Sequence, residues 1–462
     1  MVQGEEILNQ PQAGPEITER ASGQSTRMKG GSDARWRYAG AVVKAFFIPA
    51  LLLVELCKRR SEREQRFLIW LFFVVFGFTF ILGGDAAGHL ARVETSFPGM
   101  SFQEFLSDLL RILAFQYSEA GTRDVYNHII SFFFGSFLEL PQLYIPFVAA
   151  FYGYFFAGSV VLIFRHLELS KLNYVLAGFI VIFLFLQGLQ GIQTVRTWTG
   201  LWVLVYACLK YYETGRRRYL VLMFLPPFIH FGYWIMTIPA WIVLVYGSRP
   251  MLYTALVAVS SFTAFLPAEQ VKGFLEQTER GAHSVRAYGR EEFDVDRIAG
   301  FETHRQYTSW YNAYTRAGLQ RWGPIVLVLT LYLSGVYSRV MSPFQRRIFS
   351  VGVLTLAFSN MTWFLFAMHN RTLTIASVFI LAGFLMARLN PVSARGFRRL
   401  PPYYQWGVHL SLLFWFPLLL FNLSTTLDRL SIFAFFAPFM VFIDPDLNMS
   451  AKAFINILLG RG

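Results

Sequence analysis

The chain has 462 residues, of which 55% are hydrophobic and 15% charged, with 49 Phe, 22 Tyr and 11 Trp. So apolar a composition over this length argues against a soluble globular protein and for a polytopic membrane protein. The formal charge of +13 is then first explained by lysine and arginine in cytoplasmic loops, and no nucleic-acid partner is expected. Cys57 and Cys208 lie far apart in or beside apolar runs, which supports neither a disulfide framework nor a metal cluster.

The N-terminal stretch, residues 1–38, is rich in Gly, Gln, Ser and Glu and lacks the basic-then-apolar layout of a cleavable signal peptide, so it is expected to be a disordered tail. An integral membrane domain follows over 39–443, with 444–462 as a cytoplasmic tail. Apolar runs near 39–57, 67–83, 142–164, 172–190, 196–212, 250–267, 323–338, 346–367, 371–388, 406–422 and 430–443 approach the roughly 17 to 25 residues that a helix needs to cross a bilayer core. The interval 218–246 reads as one kinked span or two short ones around "PPFIH" (Pro226 to His230), because the two prolines remove donors and clash with the preceding turn. The expected fold is all-α, with about 11 to 13 transmembrane helices.

Loop charge orients the chain. If 218–246 is a down-and-up pair, the connections "KRRSEREQR", "RHLELSK", "KYYETGRRR", "YGSRP", "YSRVMSPFQRR" and "RLNPVSARGFRR" fall on one side, and the opposite short loops hold only Arg196, Arg371 and Arg429. The arm from Tyr219 to His230 is about 18 Å long at 1.5 Å per residue, too short to cross, so a broken, partly re-entrant element lining a cavity is expected. The N-terminus then lies outside, although its tail carries Arg27, Lys29, Arg35 and Arg37. Two long extracytoplasmic loops, 84–141 and 268–322, are expected on that outer face, where function concentrates.

On this topology the charges at the membrane gather on one side: Asp85 and His89 of "GGDAAGHL", Asp124 and His128 of "RDVYNHII", Arg196 of "GIQTVRTWTGLW", His230, His369 and Arg371. A lone boundary arginine serves equally well as a snorkelling anchor, but Arg196 and Arg371 break a strong rule by lying outside. Guanidinium suits phosphate, being planar, always charged and able to give paired hydrogen bonds. His230 can act as a general base near neutral pH, and Asp85 is the other candidate for that role. The second loop ends in "QYTSWYNAYTRAGLQRW", whose Trp310 and Arg321 are candidates for stacking on sugars and meeting acidic groups, beside the plain reading of an interfacial aromatic belt. Phosphate-binding loops, dinucleotide fingerprints, serine-nucleophile elbows and zinc motifs are absent from the sequence, and no cofactor or metal is expected.

These elements together resemble the EpsG/Wzy-type polysaccharide polymerases of bacterial inner membranes, over about residues 40–390. The resemblance rests on a first apolar run ending in a basic loop, a second ending in a Gly-x-Asp motif ("GGDAAGHL"), the element "RDVYNHIISFFFGSF", the stretch "VRTWTGLWVLVYACLKYYETGRRRYLVLMFLPPFIHFGYW", and the late arginine of "HNRTLTIASVFI". It implies a GT-C-like helical fold in the bacterial inner membrane. The implied reaction transfers a glycan from undecaprenyl diphosphate to a hydroxyl of a new lipid-linked repeat unit on the outer face. Arg196 and Arg371 would hold the diphosphate, His230 or Asp85 would be the base, and His89, Asp124, Tyr126, Trp310 and Arg321 would meet sugar or acceptor. Membrane lipids, a chain-length regulator and a flippase are the implied partners. The rival readings are an O-antigen ligase or other polyprenol-dependent GT-C glycosyltransferase, and a lipid-linked sugar transporter or flippase.

Overall fold

Apolar runs bounded by Ser, Pro and Gly become helices here, and a computed structural model describes them over residues 30–56, 61–116, 118–265 and 319–460, with a few isolated positions between. The described residues contain no strand, only one isolated bridge between Ser431 and Ser450. In chain order the first helices are α1 (Gly30–Phe47), α2 (Ala50–Leu56), α3 (Glu62–Thr79), α4 (Gly84–Thr95), α5 (Phe102–Leu113), α6 (Val125–Phe132), α7 (Tyr144–Phe164), α8 (Tyr174–Leu186) and α9 (Thr197–Thr214). A broken pair of arms follows as α10 (Arg217–Met223), α11 (Pro226–Ile229), α12 (Tyr233–Met236) and α13 (Ile238–Tyr246). The remainder comprises α14 (Pro250–Ser261), α15 (Trp322–Leu333), α16 (Pro343–Met361), α17 (Phe366–Leu389), α18 (Pro391–Gly396), α19 (Pro402–Arg429), α20 (Met440–Ile443) and α21 (Ala451–Leu458).

Four stretches are helical, long and apolar enough to cross a membrane: Pro141–Phe164, Tyr174–Thr194, Ala367–Leu389 and Pro402–Arg429. A fifth is added if α3 and α4, bent by 68°, count as one broken span. The α12–α13 stretch, α14 and α15 are apolar but shorter. Most of the helices pack on one large core in which Trp202, Tyr152, Phe76, Phe179, Phe183, Phe349 and Phe379 are fully buried, and α1 and α2 pack on α3 through a smaller one around Ala45, Leu52 and Phe72. Close approach is set by small residues: a Cβ on Gly352 would meet the backbone nitrogen of Ile380 at 2.6 Å, so α16 and α17 touch backbone to backbone.

Side-chain contacts sort the connections to two ends of the bundle. At one end Arg66 reaches the Tyr206 hydroxyl (3.3 Å), Arg165 pairs with Glu213, Ser248 meets Ser350 (2.7 Å) and Arg347 lies over the Tyr212 ring. At the other end Asp124 meets Arg196, Gln320 reaches Asn370 (3.2 Å), Thr263 donates to the Asn360 carbonyl (2.8 Å) and Arg429 to that of Leu82 (3.3 Å). Arg66, Arg165, Ser248 and Arg347 of the basic connections therefore share one end, and Arg196, Asn370 and Arg429 the other. The interval 218–246 is a pair of arms side by side, with Phe224 and Trp241 ring centroids 4.0 Å apart and the turn at His230.

Four expectations, all near the chain's two ends, need correction. Helix begins at Gly30, inside the expected tail, while residues 1–29 lie outside the described residues. The first apolar run is a hairpin and not a single crossing: Lys44 Nζ lies 2.8 Å from Glu55 Oε1, whereas eleven residues of straight helix would separate them by about 16 Å. Pro49, without an N–H, forms the turn between the two helices and fixes that reversal. Arg37 consequently pairs with Glu64 in the first turn of α3 (3.0 Å), which puts it with the basic connections, while Arg27 and Lys29 lie outside the described residues. The last apolar run, 430–443, is not one long helix either: a short 3₁₀ turn at Ile432–Ala434 is followed by α-helix only over Met440–Ile443. The tail expected on the basic side instead folds onto the opposite end: Ile432 donates to the Met449 carbonyl, Ala451 to that of Leu430, and Asn448 lies 3.5 Å from the Thr79 carbonyl.

Candidate functional site

Asp124 is the residue on which the site is built. It occupies the N-cap position of α6, where an aspartate ordinarily accepts from the first free amides of its helix, yet it makes no such bond. Its carboxylate is buried (side chain 1% exposed) and turned away, to Arg196, to the Phe231 amide (2.6 Å) and to His230 Nδ1 (3.4 Å). Burial works to raise its pKa, but the His230 contact, the Arg196 charge and the Phe231 N–H outweigh it, holding the carboxyl well below the usual carboxylate range.

Arg196 breaks a second local rule. It stands at the N-cap of α9, the positive end of an 18-residue helix where a cation is disfavoured. It is delivered there by a 3₁₀ segment, Leu189–Thr194, and by Val195, whose φ of 55° puts a β-branched residue in the left-handed region. Close packing fixes that segment from two sides. A Cβ on Gly191 would fall 2.2 Å from the Tyr152 hydroxyl, which donates to the Gln187 and Gly188 carbonyls. Gly84 has φ +55° and sits against Gln193, so α4 leans on the same segment.

His230 lies at the break between α11 and α12, 8% exposed. Its Nε2 is 3.3 Å from Arg371 Nη1 on α17. An arginine N–H only donates, so Nε2 is the bare nitrogen and the ring proton sits on Nδ1, facing Asp124. The result is a line of four groups from four elements, Arg196, Asp124, His230 and Arg371. Beside it, His89 is buried on α4 with Arg92 Nη1 3.5 Å from its Nδ1, and Tyr144 donates to Asn127 Oδ1 (2.6 Å). Among the described residues, neither Arg92 nor Arg371 meets a carboxylate within ion-pair distance. One buried aspartate, in contact with Arg196, thus stands in a cluster that also holds Arg371 on His230 and Arg92 on His89, a surplus of positive charge that an anion would offset.

The structure brings together Arg196, Asp124, His230, Arg371 and His89. Tyr126 lies two residues after Asp124 on α6 with its ring against Phe151 (5.4 Å) and its hydroxyl buried without a hydrogen-bond partner. Asp85 is exposed in the first turn of α4 and makes no hydrogen bond or ion pair with the cluster. Arg321 stacks over Trp322 (5.4 Å) at the start of α15, and Trp310 is exposed and pairs with Tyr311; neither touches the cluster. Most of the second long loop lies outside the described residues. Two residues named for their sequence setting are structural: His128 stacks on Phe105 and spans Thr122 and the Phe105 carbonyl, and His369 bonds to the Ser359 carbonyl (2.9 Å). Sequence reasoning missed Arg92; its signal is the spacing of three from His89, which puts both on one helical face. Among the described residues no group of three or more His, Cys, Asp or Glu side chains could hold a metal ion. No known family model matches the chain, and neither a curated protein nor a solved structure is detectably similar to it.

Proposed function

We propose that this chain is a glycosyltransferase that polymerises lipid-linked oligosaccharide repeat units at the outer face of the bacterial inner membrane. In this reading the ten or more apolar elements cross or re-enter the bilayer in a GT-C-like arrangement, with the basic connections inside. The single observation that carries it is the excess of guanidinium over carboxylate around Asp124. A diphosphate linked to a polyprenol brings that missing charge to headgroup depth, and the N-terminus of α9 adds its own attraction for phosphate.

The chemistry follows from the line of four groups. An acceptor hydroxyl attacks the anomeric carbon of the growing glycan; the bond from that carbon to the diphosphate oxygen breaks, and its electron pair leaves with the polyprenyl diphosphate. Arg196 and Arg371 stabilise the charge that develops there, each contact being worth roughly 100-fold or more in rate. Engagement of Arg371 by phosphate frees His230 Nε2 to take the hydroxyl proton. Asp124 holds the ring proton on Nδ1 and supports the imidazolium, which makes it a positioning residue. The resemblance of the sequence to EpsG/Wzy-type polymerases supports the same substrate.

The test is glycan chain length in cells carrying Arg196→Ala or His230→Ala at normal protein level. Single repeat units capping the lipid, with no longer ladder, are expected. An unchanged ladder overturns the reading, and loss of transfer of finished chains with intact ladder length would make the protein a ligase.

A further inference from the structure

The first long connection was expected outside the membrane, yet α5 within it has a surface that water does not suit. At 3.6 residues per turn its twelve residues divide into three arcs. Phe105, Asp108 and Ile112 face the protein and are buried, with Leu109 half-buried beside them. Gln103, Glu104, Ser107 and Arg111 form a polar arc. Between these lie Phe102, Leu106, Leu110 and Leu113, all exposed, at 67%, 44%, 60% and 48%. A helix in water has no reason to present a third, apolar arc.

That arc continues in both directions. Phe102 and Phe105 stack towards Phe132 of α6, beyond which Phe133 and Phe137 are exposed and stacked on each other (5.5 Å). At the other end Phe115, 63% exposed, meets Phe231 (5.8 Å) and Trp234 (6.0 Å), and Trp234 meets Phe228 (5.8 Å). Phe231 is the residue whose amide binds Asp124. An exposed row of aromatic and aliphatic side chains thus runs from α6 along α5 to the rim of the cationic cluster, on a bundle whose longer helices are apolar enough to span a bilayer.

We infer that α5 lies in the plane of the membrane, with Phe102, Leu106, Leu110 and Leu113 sunk among the acyl chains of the leaflet at the site's end of the bundle and its polar arc at the headgroups. The partner is the lipid leaflet itself. The row of rings then leads from that leaflet to Phe231, whose amide binds Asp124, so lipid reaches the rim of the cluster. This inference needs only that the bundle is membrane-embedded and stands apart from the identity of the substrate.

The experiment uses the full chain with Cys57→Ser and Cys208→Ala, in vesicles containing lipids with a nitroxide on the acyl chain. A fluorophore is placed at Leu110→Cys, at Ser107→Cys on the polar arc, or at Leu413→Cys, which is 66% exposed on α19. Several-fold stronger quenching at positions 110 and 413 than at 107 is expected. Equal, weak quenching at 110 and 107 with strong quenching at 413 overturns the in-plane helix while leaving the membrane bundle intact. Weak quenching at all three overturns the membrane reading as well.

Discussion

The Asp124→Asn variant tests the site at its centre. The amide keeps the shape of the carboxylate and its oxygen can still accept from Phe231, but it removes the charge that Arg196 and His230 face. Removing one partner of a buried pair costs about 3–5 kcal/mol. Because the Arg196 side chain keeps 25% of its surface exposed, water recovers part of its charge, and the lower end, about 3 kcal/mol, is expected. Thermal unfolding in detergent should therefore fall by several degrees. Glycan transfer should fall further, on the order of 10²-fold or more, because the amide oxygen that stays on Phe231 and His230 Nδ1 carries no charge to support the imidazolium, and its NH₂ is turned against Arg196. The pH dependence has a definite sign. Asp124 has a folded pKa below its unfolded one, so its contribution is fully present above the unfolded value, about 4, and is lost as pH falls towards the folded value. The stability gap between parent and variant should stay level from pH 8 to 5 and narrow only below about pH 4. Asp85→Asn is the comparator, since that exposed side chain supports nothing in the cluster. Normal melting and a normal glycan ladder in Asp124→Asn, with loss of the ladder in Asp85→Asn, would refute the assignment and make Asp85 the base.

Arg371→Lys should keep protein level and melting but cut transfer at least tenfold, since an ammonium cannot give the paired donors of a guanidinium; chain-length gels read this directly. Gly191→Ala drives a methyl into the Tyr152 hydroxyl and should destabilise by about 1–3 kcal/mol, lowering the melting temperature and the transfer rate together because the same segment delivers Arg196. A thiol probe confined to the site's side of the membrane should label Lys452→Cys and not Lys58→Cys. Both side chains are surface-accessible, at 44% and 58%, and the reverse pattern would invert the orientation.

Much of the helical plan could be read from the sequence because long apolar runs leave the backbone few alternatives in lipid. The runs at 142–164, 172–190, 371–388 and 406–422 correspond to α7, α8, α17 and α19. The runs that misled were those at the termini. Hydropathy counts residues and cannot see that Pro49 turns 39–57 back on itself, nor that 430–443 is held by backbone bonds to residues 47–50 and 449. Tertiary contacts decide both. Lys44, Glu55 and Lys58 form one ionic group across the hairpin, and two charges inside the supposed span, Lys44 and Glu55, were the local sign against a crossing.

The site was legible in proportion to how far each residue violated a rule that sequence alone can state. Arg196 and Arg371 break the charge bias of the outer side, and His230 follows a double proline; all three fall in the cluster. Asp124 breaks a rule that only the structure exposes. As an aspartate before a helix it passes for an ordinary cap, and its refusal to cap is visible only once its carboxylate is seen directed to Arg196 and His230. Asp85 gave the opposite impression: a Gly-Gly-Asp at a helix exit looks mechanistic, but its backbone freedom is spent on letting Gly84 approach Gln193. The glycine serves the placement of Arg196 through the 3₁₀ segment beside it. The conspicuous motif and the working arginine are therefore one structural unit, joined by packing and not by shared chemistry.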